Sequence, residues 1–154
     1  DIAMEELKKT ISMIDVLTIN DSEARQLSGE YSLVKAAQKI LAMGPKTLVI
    51  KKGEHGALLF NKDEVFFAPA LPLEEVFDPT GAGDSFAGGF IGYLSKTKDI
   101  SFENMKRAII FGSAMASFTV EKFGTERLIG LTQQDVEDRV QEFVDLVQFD
   151  IAVF

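Results

Sequence analysis

The sequence predicts an α/β domain, and three observations point to that class. The chain has 154 residues, and a chain of this size buries about two-thirds of its unfolded surface in one core. Hydrophobic residues make up 46% and charged residues 26%, the balance of an ordinary globular protein. Helical patterns alternate with short apolar runs, which suit the buried strands of a mostly parallel sheet.

The first half of the chain alternates between helices and strands. Its periodicity and turn residues predict a helix at residues 1–15, a strand at 16–19, helices at 21–28 and 33–43, a strand at 47–50, and a hairpin with strands at 57–60 and 64–68. Asn20 or Asp21 can cap the helix at 21–28, and Gly29 closes it. Ser32 can cap the next helix.

The second half is predicted to be helical at about residues 84–95, 103–121 and 133–147. The first of these helices has an apolar face made of Phe86, Phe90, Ile91 and Leu94. It also contains Gly88, Gly89 and Gly92. Each glycine costs about 1 kcal/mol relative to alanine in a helix interior, so we expect the backbone there to approach a ligand or another element closely. Thr132 and Asp135 form a predicted capping box for the last helix.

Composition excludes several classes of protein. The chain has no cysteine and one histidine, which excludes disulfides, thiolate or histidine-rich metal sites and cysteine nucleophiles, and is typical of a reducing cytoplasm. The net charge of −8 argues against binding to duplex nucleic acid, which needs a basic face. No apolar run approaches the roughly 20 residues that cross a bilayer. We therefore expect a cytoplasmic protein that binds neither nucleic acid nor membrane.

One segment carries the signals of chemistry, because residues 77–90 read FDPTGAGDSFAGGF. At a helix start the backbone amides have no acceptor inside the helix. The amides of Ala82, Gly83 and Asp84 are therefore expected to be unpaired and to form a site for an anion. Asp84 suits the polarity of a helix start, and beside a bound phosphate it would be positioned to take a proton. The simplest alternative is a tight turn with a helix cap and no ligand.

Three kinds of enzyme use comparable loops; the residues exclude two of them and leave a hydrolase using Ser85 as the less favoured alternative. A P-loop needs GxxxxGK[ST], but no lysine follows these glycines. The dinucleotide fingerprint GxGxxG needs glycine where Phe86 stands. Gly83-Asp84-Ser85 is similar to the nucleophile box of some serine hydrolases, whose serine needs a histidine base. The single histidine, His55, lies in a polar turn and is interpreted as an exposed turn residue.

The same box, DPTGAGDSFAGGF, resembles the second signature of the ribokinase-like carbohydrate kinases, the PfkB group, whose pattern is D-T/P-x-G-A-G-D-x-F. The resemblance continues in order along nearly all of the chain. Residues 20–23 resemble an N-x-x-E motif, residues 49–56 a strand followed by K/T-x-G-x-x-G, and residues 108–124 the helix and turn that close the nucleotide site. It implies a ribokinase-like three-layer α/β/α fold with a mostly parallel sheet.

The resemblance implies an ATP-dependent phosphotransferase that acts on a hydroxyl of a sugar or nucleoside. Asp84 matches the base that deprotonates the acceptor hydroxyl. Gly81, Ala82 and Gly83 match the anion hole whose amides stabilise the transferring phosphoryl group. Removing one such donor or the base is expected to cost about 10²–10³ in rate or more.

The resemblance also implies a nucleotide site and Mg²⁺. Residues that match the nucleotide-binding positions are Asn20, Lys51, Gly53, Gly56 and Ser113. Asn20 and Glu23 match residues that organise Mg²⁺, largely through water, and oxygen ligands suit this ion. The alternative role of Asn20 and Glu23 is a helix cap, and the alternative role of Lys51 is a solvated charge in a turn.

A monovalent-cation loop found in part of the family is matched by Asp78, Thr80 and Gly124, with backbone from Thr119 and Lys122. Such a loop would hold K⁺. The next residues, Thr125-Glu126-Arg127-Leu128, depart from the small residues common there.

Members of the family are longer, and their sugar-recognising residues, a Gly-Gly signature and a small β lid precede the matching segment. We therefore interpret residues 1–154 as the C-terminal nucleotide-binding and catalytic part of a PfkB-type kinase domain that lacks its N-terminal substrate and lid part. The acceptor is then undefined. Without the N-terminal part, this chain would expose a sheet edge and apolar surface, which would favour its association, for example as a homodimer. The rival interpretation is a nucleotide-binding or regulatory module that has lost catalysis.

Overall fold

The computed structural model describes residues 2–152, which fold as two compact units that meet at Ala68 and Pro69 in the sequence. The first unit contains α1 (Ile2–Ile11), β1 (Val16–Asn20), α2 (Asp21–Ser28), α3 (Leu33–Leu41), β2 (Thr47–Lys51), β3 (Ala57–Phe60) and β4 (Val65–Ala68). The second unit contains α4 (Ala82–Thr97), α5 (Phe102–Thr119) and α6 (Gln133–Val147). Strands and helices thus occur in the predicted order, which confirms the α/β class.

The sheet of the first unit has the order β1-β2-β3-β4. β1 and β2 are parallel, and their register places Asn20 opposite Lys51 at the carboxyl ends of both strands. β3 pairs antiparallel with β2 and with β4, because a short glycine-bounded turn after β2 and a tight loop after β3 allow only hairpin connections. The described sheet is therefore mixed, with one parallel pair extended by a hairpin.

Helix boundaries in the first unit follow from capping residues. The Asn20 side chain caps α2, and Gly29 ends it in the left-handed conformation at φ 70°. Ser32 caps α3 as predicted. The helix predicted at residues 1–15 is shorter than expected, since α1 ends at Ile11 and Asp1 lies outside the described residues. α3 likewise ends at Leu41 rather than at residue 43.

The core of the first unit forms where α2 and α3 pack on the sheet. Its buried residues are Ala24, Ala36, Ala37, Ile40, Leu48, Ile50 and Phe60. Small alanines on the helices face large aliphatic residues on the strands, so the helices lie close to the sheet. On α1, Ile11 is buried while Ile2 and Leu7 are exposed.

The second unit is a helical hairpin, α4 and α5, with α6 packed on α5. Its buried apolar residues include Phe86, Phe90, Leu94, Met105, Ala108, Ile109, Ala114, Phe118 and Phe143. The prediction that Ile91 belongs to the apolar face of α4 was wrong within this unit, because 56% of Ile91 is exposed. No helix among residues 2–152 combines the length and the apolar character needed to span a membrane.

Two glycines allow α4 and α5 to pack closely. A Cβ atom added at Gly89 would lie 2.9 Å from the carbonyl oxygen of Phe111 and 3.0 Å from the Cα of Gly112. A Cβ at Gly112 would lie 2.8 Å from the carbonyl oxygen of Phe86. Gly88 and Gly92, by contrast, have no heavy atom within 4 Å of such a Cβ. The close approach predicted for this glycine-rich helix is thus made to α5, at Gly89.

This difference predicts opposite effects of alanine at two glycines of one helix. Gly89→Ala should lower the free energy of unfolding by about 1–3 kcal/mol, because the added methyl meets backbone atoms that cannot move aside. Gly92→Ala should raise it by about 0.5–1 kcal/mol, because alanine is the better helix former and nothing obstructs it. Urea unfolding of the chain, followed by circular dichroism, measures both. Equal effects of the two substitutions would contradict the assigned helix contact.

Candidate active site

The segment that enters α4 is built from short-range hydrogen bonds. The backbone amide of Thr80 donates to Oδ1 of Asp78 at 2.9 Å, an Asx-type turn. The amide of Ala82 donates to the carbonyl oxygen of Pro79 at 3.2 Å. Gly81 then adopts the left-handed conformation at φ 82° as the N-cap residue, a position that favours glycine. The segment therefore turns sharply into the helix.

α4 begins differently from the other helices whose N-caps are described. Each of α2, α3, α5 and α6 has a polar side chain at the N-cap that accepts a hydrogen bond from the third helical amide; these residues are Asn20, Ser32, Ser101 and Thr132. At α4 the N-cap is Gly81, and no side chain makes this bond. The first turn of α4 is thus the one among these five that is left open to an external acceptor.

Three backbone amides at this helix start have no acceptor among the described residues, namely those of Gly81, Gly83 and Asp84. The expectation for Ala82 was wrong, because its amide is used in the turn with Pro79. The first helical bond is donated by Ser85 to the carbonyl oxygen of Gly81 at 2.9 Å. Free amides at the positive end of a helix dipole favour an anion such as a phosphate.

Asp84 adds an exposed carboxylate to the first turn of α4. The structure places it two residues after the helix begins at Ala82, next to the free amide donors in sequence. A carboxylate at this point is favoured by the helix dipole. The helix start therefore offers hydrogen-bond donors for an anion together with a group able to accept a proton.

The end of α5 holds this entry segment from the side. The amide of Phe77 donates to the carbonyl oxygen of Val120 at 2.9 Å, and the rings of Phe77 and Phe123 meet edge to face at 6.3 Å between centroids. The hydroxyl oxygens of Thr119 and Ser85 lie 2.6 Å apart. From the sequence, only the backbone of Thr119 is predicted to contribute to the site. Its side-chain contact joins residues 34 positions apart, and no local pattern signals such a pair.

The residues matched to a monovalent-cation loop lie in this part of the second unit. The bond between Phe77 and Val120 places Asp78, the next residue, near the end of α5, and Gly124 has a positive φ of 56°. Among residues 2–152 no three His, Asp or Glu side chains are grouped in a way that could hold a metal ion. A K⁺ site at Asp78, Thr80 and Gly124 stays a prediction.

Ser113, predicted to lie near the adenosine, is partly buried in the middle of α5. It precedes Thr119 by six residues, a rise of about 9 Å along a helix. Its neighbour Gly112 packs against Phe86 of α4, and the place of Ser113 near an adenosine stays a prediction.

Asn20 and Glu23 form a reciprocal capping box at the start of α2. Oδ1 of Asn20 accepts from the amide of Glu23, and Oε2 of Glu23 accepts from the amide of Asn20, both at 2.8 Å. Their role as a helix cap is thus confirmed. Asn20 also lies opposite Lys51 where β1 and β2 end, and the carboxyl ends of parallel strands are where ligands bind in α/β sheets.

The predicted nucleotide loop after β2 is a tight turn. Gly53–His55 form one turn of 3-10 helix. Its first residue, Gly53, and the residue after it, Gly56, have positive φ values of 56° and 84°. The amide of Lys52 donates to the carbonyl oxygen of Gly56 at 2.8 Å and closes the turn. His55 is exposed there, as predicted, with its Nε2 3.5 Å from Oε1 of Glu54. The glycines are thus required by the backbone, whatever the loop binds.

An α/β fold whose glycine-led helix start leaves backbone amides unpaired can hold an anion such as a phosphate, and the described partner of the Ser85 hydroxyl is the hydroxyl of Thr119. The sequence pattern of the pfkB family carbohydrate kinases matches residues 1–129. The chain belongs to the PfkB family of carbohydrate kinases.

Relatives and solved structures support this membership. A ribokinase from Staphylococcus aureus is 34% identical over 129 residues, which cover 80% of this chain and 41% of the relative. The aminoimidazole riboside kinase of Salmonella enterica, solved with aminoimidazole riboside and an ATP analogue, superposes with a TM-score of 0.80 at 27% identity over 91% of this chain and 46% of that one. A candidate ribokinase II from E. coli, solved with ATP and Mg²⁺, gives 0.74 at 25% identity over 89% and 42%.

The ribokinase fold predicted from the sequence is therefore confirmed. The chain spans less than half of the length of these relatives.

The turn before α4 predicts a pH-dependent signal. The hydrogen bond from the Thr80 amide holds the pKa of the Asp78 carboxyl below its ordinary value. A lowered folded-state pKa means that the turn is stabilised above the unfolded-state pKa of about 3.9 and loses this contribution as the pH falls through the lower value. NMR titration of the Asp78 carboxyl carbon and the Thr80 amide should show one shared midpoint below about 3.9.

Asp78→Asn is the matched control for this titration, because the amide oxygen can still accept the bond but does not titrate. The Thr80 amide of that variant should keep its resonance position through the acid range. A midpoint at or above the ordinary value would contradict the assigned turn.

Proposed function

We propose that the chain provides the catalytic part of an ATP-dependent kinase that transfers the γ-phosphate to a hydroxyl of a sugar or nucleoside. The observation that carries the proposal is the start of α4, where the free amides of Gly81, Gly83 and Asp84 stand beside the exposed Asp84 carboxylate. Membership in the PfkB family supports the same chemistry. Ser85 as a hydrolase nucleophile is the weaker alternative, because its described partner is a hydroxyl.

The proposed step needs little covalent work from the protein. The acceptor hydroxyl gives its proton to the Asp84 carboxylate, and its oxygen attacks the γ-phosphorus of ATP. The bond from that phosphorus to the oxygen bridging it to the β-phosphate breaks, and ADP leaves. The amides of Gly81, Gly83 and Asp84 would stabilise charge on the transferring group, and such fixed donors are worth about 3–4 kcal/mol each in comparable sites. Phosphoryl transfer depends mainly on this positioning and neutralisation.

The extent of the chain fits the C-terminal part of a kinase domain. The alignments cover most of this chain but only 40–46% of several relatives, and we propose that the acceptor-recognising residues lie in the remainder of the kinase. The relatives named as ribokinase and aminoimidazole riboside kinase set the expected acceptor class as a sugar or a riboside.

For the nucleotide and its metal, we propose the residues of the first unit that the family resemblance indicates. Asn20 and Glu23 supply amide and carboxylate oxygens, the ligand type that Mg²⁺ prefers. One oxygen of each side chain is already used in the capping box, which fits contact with Mg²⁺ through water. The turn at Lys51, Gly53 and Gly56 would contact the nucleotide, and Asp78, Thr80 and Gly124 would supply the K⁺ loop. When bound, Mg²⁺ neutralises phosphate charge.

Asp84→Asn in the full gene product should lower kcat by about 10²–10³ or more, because the amide cannot accept the acceptor's proton. Binding of MgADP should change little, since the backbone amides remain. Coupled-assay kinetics with a panel of sugars and nucleosides, together with calorimetric titration of MgADP, measure both quantities. Near-normal turnover by the variant would overturn the role of Asp84.

Ser85→Ala separates the alternatives. A kinase should keep turnover within about 10-fold, whereas a hydrolase would lose its nucleophile and with it nearly all activity. A wild-type protein that binds MgADP but transfers no phosphate to any acceptor in the panel would favour the rival interpretation, a nucleotide-binding or regulatory module.

Glu23→Gln tests whether Glu23 acts beyond the capping box. Glutamine also occurs at this position of capping boxes, so the free energy of unfolding should stay within about 0.5 kcal/mol of wild type. Loss of the carboxylate charge should raise the Mg²⁺ concentration needed for half-maximal activity by about 10-fold, a change of about 1.4 kcal/mol. Asn20→Ala, by contrast, removes the cap and should cost about 1 kcal/mol of stability. A Mg²⁺ dependence unchanged in Glu23→Gln would restrict Glu23 to the cap.

A further inference from the structure

We propose that Arg139, on α6, is a positioning residue for the start of α4 and acts through Glu121 at the end of α5. This inference rests on the proposed function, and it assigns a role to a helix that follows the segment matching the family, residues 1–129. All of the contacts involved lie within the second unit.

Arg139 is held on three sides. Its Nη1 donates to Oγ of Ser117 at 2.7 Å, and its Nη2 donates to Oε1 of Glu121 at 2.6 Å. Its guanidinium carbon lies 4.1 Å from the centroid of the Phe118 ring. Only 12% of the side chain is exposed. A planar guanidinium that is hydrogen-bonded and stacked in this way has one orientation, so it fixes the last turn of α5 relative to α6.

Glu121 also contacts a second arginine, Arg127. Its other carboxylate oxygen, Oε2, accepts from Nε of Arg127 at 3.1 Å, and the guanidinium of Arg127 lies 4.9 Å from the same Phe118 ring. Both carboxylate oxygens of Glu121 are therefore held by arginine side chains. We define this set of residues, Ser117, Phe118, Glu121, Arg127 and Arg139, as the arginine clamp.

The arginine clamp is one residue away from the contacts that hold the entry to α4. Val120, next to Glu121, accepts the hydrogen bond from the Phe77 amide at 2.9 Å. Thr119, one residue earlier, has its hydroxyl 2.6 Å from that of Ser85. A shift of Glu121 would therefore also move Thr119 and Val120, which contact Ser85 and Phe77 at the two ends of residues 77–85. Displacement of reacting groups by about 1 Å can cost about 100-fold in rate.

The experiment compares Arg139→Met with Arg107→Met in the full gene product. Methionine keeps the apolar stem of either arginine, and Arg107 is an exposed residue of α5 outside the clamp. Arg139→Met should lower kcat by about 10-fold or more while the KM values for ATP and acceptor stay within about 2-fold, because the lost positioning acts on the transition state. Arg107→Met should change kcat by less than about 2-fold.

Two further readouts separate positioning from simple loss of stability. The amide resonances of Gly83 and Asp84 should shift in Arg139→Met and not in Arg107→Met, at a temperature where both are folded. Arg139→Lys, which keeps the charge but not the planar fork, should recover part of the lost kcat. A variant that melts earlier but has wild-type kcat and unshifted amides would overturn the proposal.

Glu121→Gln supplies a second test that keeps the shape of the side chain, and it decides the question if Arg139→Met does not fold. It should lower kcat in the same direction, and in the double variant the two effects should be less than multiplicative, since both residues act through one contact. Multiplicative effects would overturn the proposed route. If the wild-type protein transfers no phosphate, the proposed function fails, and the amide shifts alone then decide whether Arg139 positions the helix start.

Discussion

The close contact between α4 and α5 is the constraint on which the rest of the second unit depends. Gly89 and Gly112 let the two helix backbones meet where any side chain would collide with a carbonyl oxygen. The short connection between the helices, with Asn104 donating to Thr97 and to the carbonyl of Asp99 at 2.7 Å each, makes them antiparallel. The first turn of α4 therefore lies beside the last turn of α5, and the contacts that hold residues 77–85 follow from that placement.

The N-cap residues divide the described helix starts into two kinds. At α2 and α6 the N-cap side chain and the third helical residue satisfy each other's backbone, which completes the helix without a ligand. At α4 a glycine replaces the capping side chain, so the amides of its first turn are left to water or to a bound anion. This is a local conflict with foldability of the kind expected at a functional site. The conflict is tolerated because Thr119 and Val120 hold the turn from α5.

Local features of the structure could be predicted from the sequence, and long-range ones could not. Asn20, Gly29 and Thr132 act as caps as predicted, because capping is decided within four residues. The motif at 78–84 indicated both the family and the open helix start. The use of the Ala82 amide by Pro79 was missed, since it depends on the conformation of one turn. The pairs Thr119 with Ser85 and Arg139 with Glu121 join residues 34 and 18 positions apart. The periodicity of the sequence does not predict contacts over such separations.

The arginine clamp at the end of α5 is a polar network at a place where an apolar contact would be enough for stability. Exposed ion pairs contribute little to folding, and burying charge often costs as much as it returns. A guanidinium fork nevertheless fixes direction as well as distance, whereas an aliphatic side chain packs in several orientations. Phosphoryl transfer needs its donors held within about 0.5 Å. The end of α5 carries the residues that hold the entry to α4, so under the proposed function its fixed orientation would serve the chemistry more than the stability of the fold.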